Sequence, residues 1–398
     1  MAATEPIAQV KQRIEEVDVD AALREFAEGA AIVDVREQNE WDSAHIEGST
    51  LIPQAEVADR LGEHVPERSG RLLFLCASGN RSARAADLAS ELGYTDVASI
   101  AGGINTWSDH GLPLVEPEGL NREQRMRYSR HTLLEEVGVE GQLKLLDAKV
   151  LLLGAGGLGA PTALYLAAAG VGTIGIVDDD VVDASNLQRQ VIHSIETVGQ
   201  PKTASARKAI EALNPDVEVV EHNTRLDSSN ILELIGDYDI LVDGADNFPT
   251  RYLLNDASVR LRKPVVSASI LGFEGQISTF VPFEGPCYRC LFPTPPPPEL
   301  APSCGANGVL GVMAGVMGLF QANEVIKLIV GIGEPLVGRL LLYDSLATRM
   351  TELKVRRDPE CPICGENAPE IPESELGQFL DYELFCGAPA REETPQAV

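Results

Sequence analysis

Lys149-Val-Leu-Leu-Leu-Gly-Ala-Gly-Gly-Leu-Gly159 is the stretch on which the fold turns. Its first five residues form an apolar strand. Gly154-x-Gly156-x-x-Gly159 then forms a turn whose backbone can approach an anion closely, and a helix begins near Pro161. Downstream, Thr173–Val177 and residues 217–220, 240–242 and 265–268 read as strands alternating with helical segments, which implies a mostly parallel sheet. Upstream, a polar helix starts at about Asn121, and residues 111–119, with two prolines and two glycines, read as a linker. Before the linker, short apolar strands at residues 31–35, 71–75 and 97–100 alternate with helical stretches and describe a smaller α/β unit.

The chain has 398 residues, more than one core usually serves, and 44% of them are hydrophobic. Sixty acidic against 32 basic residues give a net charge of −28, which opposes binding to nucleic acid or to an anionic membrane. No apolar stretch follows the first charges of the N-terminus, and the apolar run at residues 309–320 is short for a bilayer, so the expectation is a soluble cytoplasmic protein. Seven cysteines, four of them in two Cys-x-x-Cys pairs, fit metal and thiol chemistry better than a secreted disulfide framework.

Asp178 ends the strand after the Gly-rich turn, where a carboxylate can take a hydrogen bond from a ribose hydroxyl. A plain nicotinamide dehydrogenase would need little more. Here Asp178-Asp-Asp180 leads into Ser185-Asn-Leu-Gln-Arg-Gln190, Gly199-Gln-Pro-Lys202 and Asp243-Gly-Ala-Asp-Asn247. Cations beside the phosphates suit nucleotidyl transfer rather than hydride transfer, and a carboxylate such as Asp246 can hold Mg²⁺.

In the smaller unit, Cys76-Ala-Ser-Gly-Asn-Arg-Ser82 stands between an apolar strand and a helix. Amide N–H groups, a helix N-terminus and Arg81 would lower the thiol pKa and stabilise an anion on sulfur. Four residues between Cys76 and Arg81 make a tighter ring than a cysteine phosphatase uses, sized for a sulfane sulfur. With Asp34-Val-Arg36, Ala44-His-Ile-Glu-Gly48, Ile52-Pro53, Gly102-Gly103, Trp107 and Gly111-Leu-Pro113, the region resembles rhodanese-type sulfurtransferase domains. That resemblance implies a persulfide on Cys76 and an anionic donor held by Arg81.

The larger region resembles the ubiquitin-activating-enzyme-like family, most closely its ThiF/MoeB type, the molybdopterin-synthase adenylyltransferases and their thiamine-pathway relatives. The resemblance implies an α/β fold, a small rhodanese-like domain (1–116) followed by a Rossmann-like adenylyltransferase domain (117–365); the remainder (366–398), acidic and proline-containing, reads as a loosely held acidic tail. By motif, Gly156 and Gly157 lie by ATP, Asp178 holds the ribose, Asn186, Arg189 and Lys202 contact phosphates, and Asp246 binds Mg²⁺. Arg130, in Arg127-Tyr-Ser-Arg-His131, matches an arginine that in relatives reaches a nucleotide across a dimer interface, implying a homodimer. The implied partners are a ubiquitin-like sulfur carrier ending in Gly-Gly and a persulfide donor such as a cysteine desulfurase.

Cys287-Tyr-Arg-Cys290 and Cys361-Pro-Ile-Cys364 supply four thiolates, a set suited to closed tetrahedral zinc; a redox dithiol is the alternative. Cys304 matches the family's loop cysteine, but Gly305 and Asn307 depart from the usual pattern. Two readings stay open for it, a resolving thiol and a loop cysteine with no catalytic part. The implied reaction is adenylation of the carrier's C-terminal glycine, then attack by the Cys76 persulfide and release of a thiocarboxylate. The rivals are a dehydrogenase fused to a thiol domain and a scaffold that binds a ubiquitin-like fold without turnover. Molybdopterin synthase is the first choice of pathway; thiamine, cysteine and tRNA thiolation use similar proteins.

Overall fold

The computed structural model describes residues 6–115, 119–296, 308–368 and 371–387. By contact the chain divides into Met1–Val139 and Glu140–Val398.

The first unit is a five-stranded parallel sheet. Its strands are β1 (Glu15–Val17), β2 (Ala31–Asp34), β3 (Thr50–Leu51), β4 (Leu72–Leu75) and β5 (Val97–Ile100), in the order β1-β5-β4-β2-β3. β4 is central and wholly buried, as its unbroken Leu-Leu-Phe-Leu run requires of a strand covered on both faces. The helix Asn80–Glu91 that follows buries Ala83, Ala85, Ala86 and Ala89 against it. The expected helix at Asn121 runs Arg122–Thr132, with Asn121 and Gln124 closing a capping box. It carries Arg130 and belongs by contact to this first unit.

The second unit is built on an eight-stranded sheet. β6 (Lys149–Leu153), β7 (Thr173–Val177) and β8 (Glu218–His222) run outward on one side; β9 (Ile240–Asp243) and β10 (Val265–Leu271) continue in parallel from the other side of β6. The chain therefore reverses its winding at β6 and β9, and the crevice beyond their carboxyl ends is where such sheets bind ligands. Beyond β10 the sheet turns antiparallel through β11 (Glu274–Phe280), β12 (Arg339–Asp344) and β13 (Arg349–Lys354). The sequence expectation of a mostly parallel sheet misses this extension. β13 is exposed on both faces and carries no apolar alternation to announce it.

The apolar run after residue 309 is a 20-residue helix, Gly311–Val330, long and apolar enough by length and composition to cross a membrane. It instead lays Met317, Ala322 and Val325 on the core and buries Glu324, which accepts from Thr279 Oγ1 and the Leu336 amide. The C-terminal segment departs from the loosely held tail expected of its composition. Phe379, Tyr382, Phe385 and Cys386 pack into the second unit's core, and the Tyr382 hydroxyl donates to buried Asp256 at 2.7 Å. Three aromatic rings within seven residues supply apolar burial that average acidity conceals.

Candidate functional site

In the first unit, Cys76 leaves β4 and the loop closes around its sulfur. The Gly79 amide donates to Sγ at 3.1 Å and Ser82 Oγ lies 3.2 Å away, itself 2.9 Å from Ser99 Oγ. Gly79 adopts φ +88°, a conformation a side chain would resist. Beneath the loop, a Cβ on Gly103 would stand 2.2 Å from the Cys76 carbonyl, so only glycine fits there. Burial pushes the Cys76 thiol up, but the Ser82 hydroxyl and the Ser82, Ser78 and Gly79 amides outweigh it, leaving the thiol below its ordinary value. Arg81, 32% exposed, is tied to a carboxylate: its two Nη atoms donate to Glu40 at 2.6 and 2.7 Å. Asp34 and Arg36, quoted as motif residues, form a buried pair that holds the carbonyls of Glu40 and Ala44.

In the second unit, the Gly-rich turn sits at the switch between β6 and β9. A Cβ on Gly159 would fall 1.9 Å from the Gly154 carbonyl, and one on Gly244 would fall 2.6 Å from that of Leu153, so both turns need bare backbone. The Ala155 amide donates to Asp178 Oδ2 at 2.8 Å and the Asp180 amide to Oδ1 at 2.9 Å. Burial raises the Asp178 carboxyl above its usual range, against the pull of Lys202 and of those two amides. Lys202, buried at the start of helix Lys202–Leu213, donates to Asp180 at 2.7 Å and stands 4.0 Å from Asp178. Arg189 packs its stem over Gly157 and donates to the Ser185 carbonyl, and Asn186 caps the turn that begins at Asp183. The structure thus gathers Gly156, Gly157, Asp178 and Lys202 near the carboxyl ends of β6 and β7, with Arg189 against Gly157 and Asn186 three residues before it.

Asp246 is exposed just past β9, with Asn247 donating to its Oδ1 at 3.2 Å. Its loop is braced from below: Arg251 meets Asp243 at 3.1 Å and donates to the Ala245 and Ala268 carbonyls. Arg251 was not foreseen, because a single arginine in a helix carries no sequence signal of the carbonyls it will hold. His193 was also missed. Its Nε2 bonds the Ala155 carbonyl at 3.0 Å and its Nδ1 meets Ser205 Oγ at 2.9 Å, tying the Gly-rich turn to the helix that presents Lys202. Burial, and then Lys202, lower its pKa against the pull of Ala155; the neutral ring keeps its proton on Nε2, since a carbonyl can only accept. Gln190, buried beside Gly156, has an Oε1 with no hydrogen-bond partner among the described residues.

The four cysteines of the two pairs converge. Their sulfurs all lie within 4.8 Å of one another, with Cys287–Cys290, Cys287–Cys361 and Cys290–Cys364 separations of 3.9, 3.7 and 3.4 Å. Zinc–sulfur bonds of about 2.3 Å in a tetrahedron put sulfurs about 3.8 Å apart, whereas a disulfide needs about 2 Å. The donor set fits zinc and excludes a preformed bridge. Gly365 closes the second pair where a Cβ would strike the Pro359 and Cys361 carbonyls, and Arg357 donates to the Cys364 carbonyl. Cys304 lies outside the described residues.

Comparison with known proteins identifies two families along the chain. The family model described as ThiF family matches residues 128–363, and the rhodanese-like domain model matches residues 8–110. A probable adenylyltransferase/sulfurtransferase MoeZ of Mycobacterium tuberculosis is 51% identical over 283 residues, covering 70% of this chain and 69% of the relative. A sulfur carrier protein adenylyltransferase of Thermus thermophilus is 50% identical over 67% of this chain and 98% of its own length. An adenylyltransferase and sulfurtransferase MOCS3 of Anopheles gambiae is 51% identical over 67% of this chain, but only 60% of that longer relative is matched. Among solved structures, E. coli MccB with ATP is similar at 27% identity and a TM-score of 0.55, over 63% of this chain and 77% of that one.

Proposed function

The chain belongs to the ThiF family and carries a rhodanese-like domain as well, and from that premise we propose that it adenylates the C-terminal glycine of a ubiquitin-like sulfur carrier and then delivers sulfur to it. The observation that carries the reading is the coexistence, in one chain, of a bare Gly-rich turn flanked by Asp178 and Lys202 and a thiol held in a ring of donors at Cys76. Its relatives, named for adenylyltransferase and sulfurtransferase activity and for a sulfur carrier protein, support it.

The division of labour is residues 1–116 for sulfur transfer and 117–365 for adenylation, with 366–398 as an acidic tail. ATP lies along Gly156 and Gly157 with its phosphates toward the N-terminus of helix Gly159–Ala169. Asp178 takes the ribose hydroxyls; Asn186, Arg189 and Lys202 take the phosphates, and Lys202 exchanges its contact with Asp180 for theirs. Arg130 reaches the nucleotide from the second subunit of a homodimer. Asp246 has one oxygen free of Asn247 and is solvent-facing, which fits a hard cation such as Mg²⁺. Mg²⁺ held there would offset phosphate charge.

The carrier's terminal carboxylate attacks the α-phosphate and pyrophosphate leaves; holding both reactants in one crevice makes a weak nucleophile effective. The outer sulfur of the Cys76 persulfide then attacks the acyl-adenylate and AMP leaves. A second thiol, for which Cys304 is the candidate, cleaves the resulting acyl disulfide: the S–S bond breaks, the thiocarboxylate departs, and the thiol ends in a disulfide with Cys76. Cys287, Cys290, Cys361 and Cys364 would hold zinc with all four positions filled, which suits a structural rather than a catalytic metal. A molybdopterin-synthase small subunit is the first carrier to test, ahead of carriers for thiamine, cysteine or tRNA thiolation. Incubation with carrier, ATP and a persulfide donor should convert the carrier to a species heavier by one sulfur-for-oxygen exchange; a carrier of unchanged mass with all three present refutes the proposal.

A further inference from the structure

Two cations stand beside the Cys76 loop, and each is held by a carboxylate. Arg81 is gripped at both Nη atoms by Glu40, at 2.6 and 2.7 Å. Lys11 Nζ lies 3.6 Å from where a side chain on Gly79 would begin and donates to Glu16 at 2.8 Å. Arg36, nearby in sequence to Glu40, is buried on Asp34. The groups that touch the sulfur are neutral dipoles, the Gly79 amide and the Ser82 hydroxyl. Such a ring stabilises one charge placed at its centre. It offers no net positive charge to a second anionic group a bond away, and like charge from Glu40 and Glu16 opposes one.

We infer that Glu40 and Glu16 set the donor specificity of the sulfur site, favouring an organic persulfide over thiosulfate. The inference rests on the proposed role of Cys76 as sulfur carrier. With R–S–SH as donor, the Cys76 thiolate attacks the terminal sulfur, the donor's S–S bond breaks, R–S⁻ leaves, and the proton stays with the new Cys76 persulfide. With thiosulfate the same attack expels sulfite, whose sulfonate oxygens must first enter a site where Arg81 and Lys11 are already neutralised. Glu40 and Glu16 touch neither sulfur, so they act through the two cations.

The test is thiocyanate formation from cyanide by the full chain, with thiosulfate and cysteine persulfide as alternative donors. Glu40→Gln keeps a hydrogen-bonding partner for Arg81 but frees its charge. The KM for thiosulfate should fall roughly tenfold with kcat unchanged, while cysteine persulfide kinetics move less than about twofold. Glu16→Gln, which frees Lys11, should shift thiosulfate in the same direction by less, and decides the matter if Glu40→Gln does not fold. An unchanged thiosulfate KM in the folded variants, or equal losses with both donors, overturns the inference. Cys76→Ser separates this from the underlying reading: if it still forms thiocyanate, Cys76 is not the carrier, whatever the donor ratio.

Discussion

The Cys76 turn of the first unit and the Gly154–Gly159 turn of the second both leave an interior parallel strand and lead into a helix, yet they use their backbone donors differently. The first wraps a side chain of its own: Gly79 and Ser82 point at the sulfur of Cys76, a residue only 1% exposed. The second is cleared of side chains, with Gly159 and Gly244 so close to carbonyls that no Cβ fits. On the proposed reading, one strand–turn–helix plan makes either a covalent carrier or a receptor for a diffusible anion, depending on whether the turn's centre is filled from within.

The largest effects should split the two turns cleanly. Cys76→Ala should lower sulfur transfer to cyanide by about 10³-fold or more and leave carrier adenylation intact, while Asp246→Ala should do the reverse; paired assays of thiocyanate formation and carrier adenylation check both. If either variant loses both activities while folded, the turns do not act separately. Gly159→Ala should cost about 3 kcal/mol or more and abolish nucleotide binding, because the added methyl meets the Gly154 carbonyl at 1.9 Å. Gly157→Ala meets the Ala314 methyl at 3.2 Å and the Arg189 stem at 3.7 Å, side chains rather than backbone, so its thermal midpoint should fall much less than that of Gly159→Ala.

A smaller effect concerns what supports the second unit. Arg289, between Cys287 and Cys290, donates twice to Asp256 at 2.8 Å, and Tyr382 donates to the same carboxylate. Tyr382→Phe should therefore cost about 1–2 kcal/mol in denaturant unfolding, and zinc chelation should speed proteolysis after residue 371, because both loosen one network. The smallest effect is on pH. In the proposed reaction the Cys76 thiolate is the nucleophile, so transfer should rise with pH through the thiol pKa, which hydrogen bonds from Ser82 hold down. Ser82→Ala should move the acid limb of the transfer profile to higher pH, without altering the adenylation profile.

Local features were legible in the sequence. Lys149–Leu153 and its glycines marked the strand and turn, because the strand's burial and the turn's backbone demands are written in adjacent residues. The two Cys-x-x-Cys pairs announced their convergence because shared ligand chemistry links them across the chain. What sequence did not show were pairings between distant residues with no shared chemical signature. Glu40 lies 41 positions from Arg81, Asp256 lies 126 from Tyr382, and His193 reaches a carbonyl, a group every residue has. The antiparallel strands β11 to β13 were hidden for a related reason: their placement follows from the edge of β10, not from their own pattern.

The most direct test of the central claim is exchange of labelled pyrophosphate into ATP by the purified chain, with and without carriers ending in Gly-Gly. The account predicts exchange that appears only with a carrier, persists in Cys76→Ala and vanishes in Asp246→Ala. Exchange that ignores the carrier, or none with any carrier of the four pathways, contradicts it.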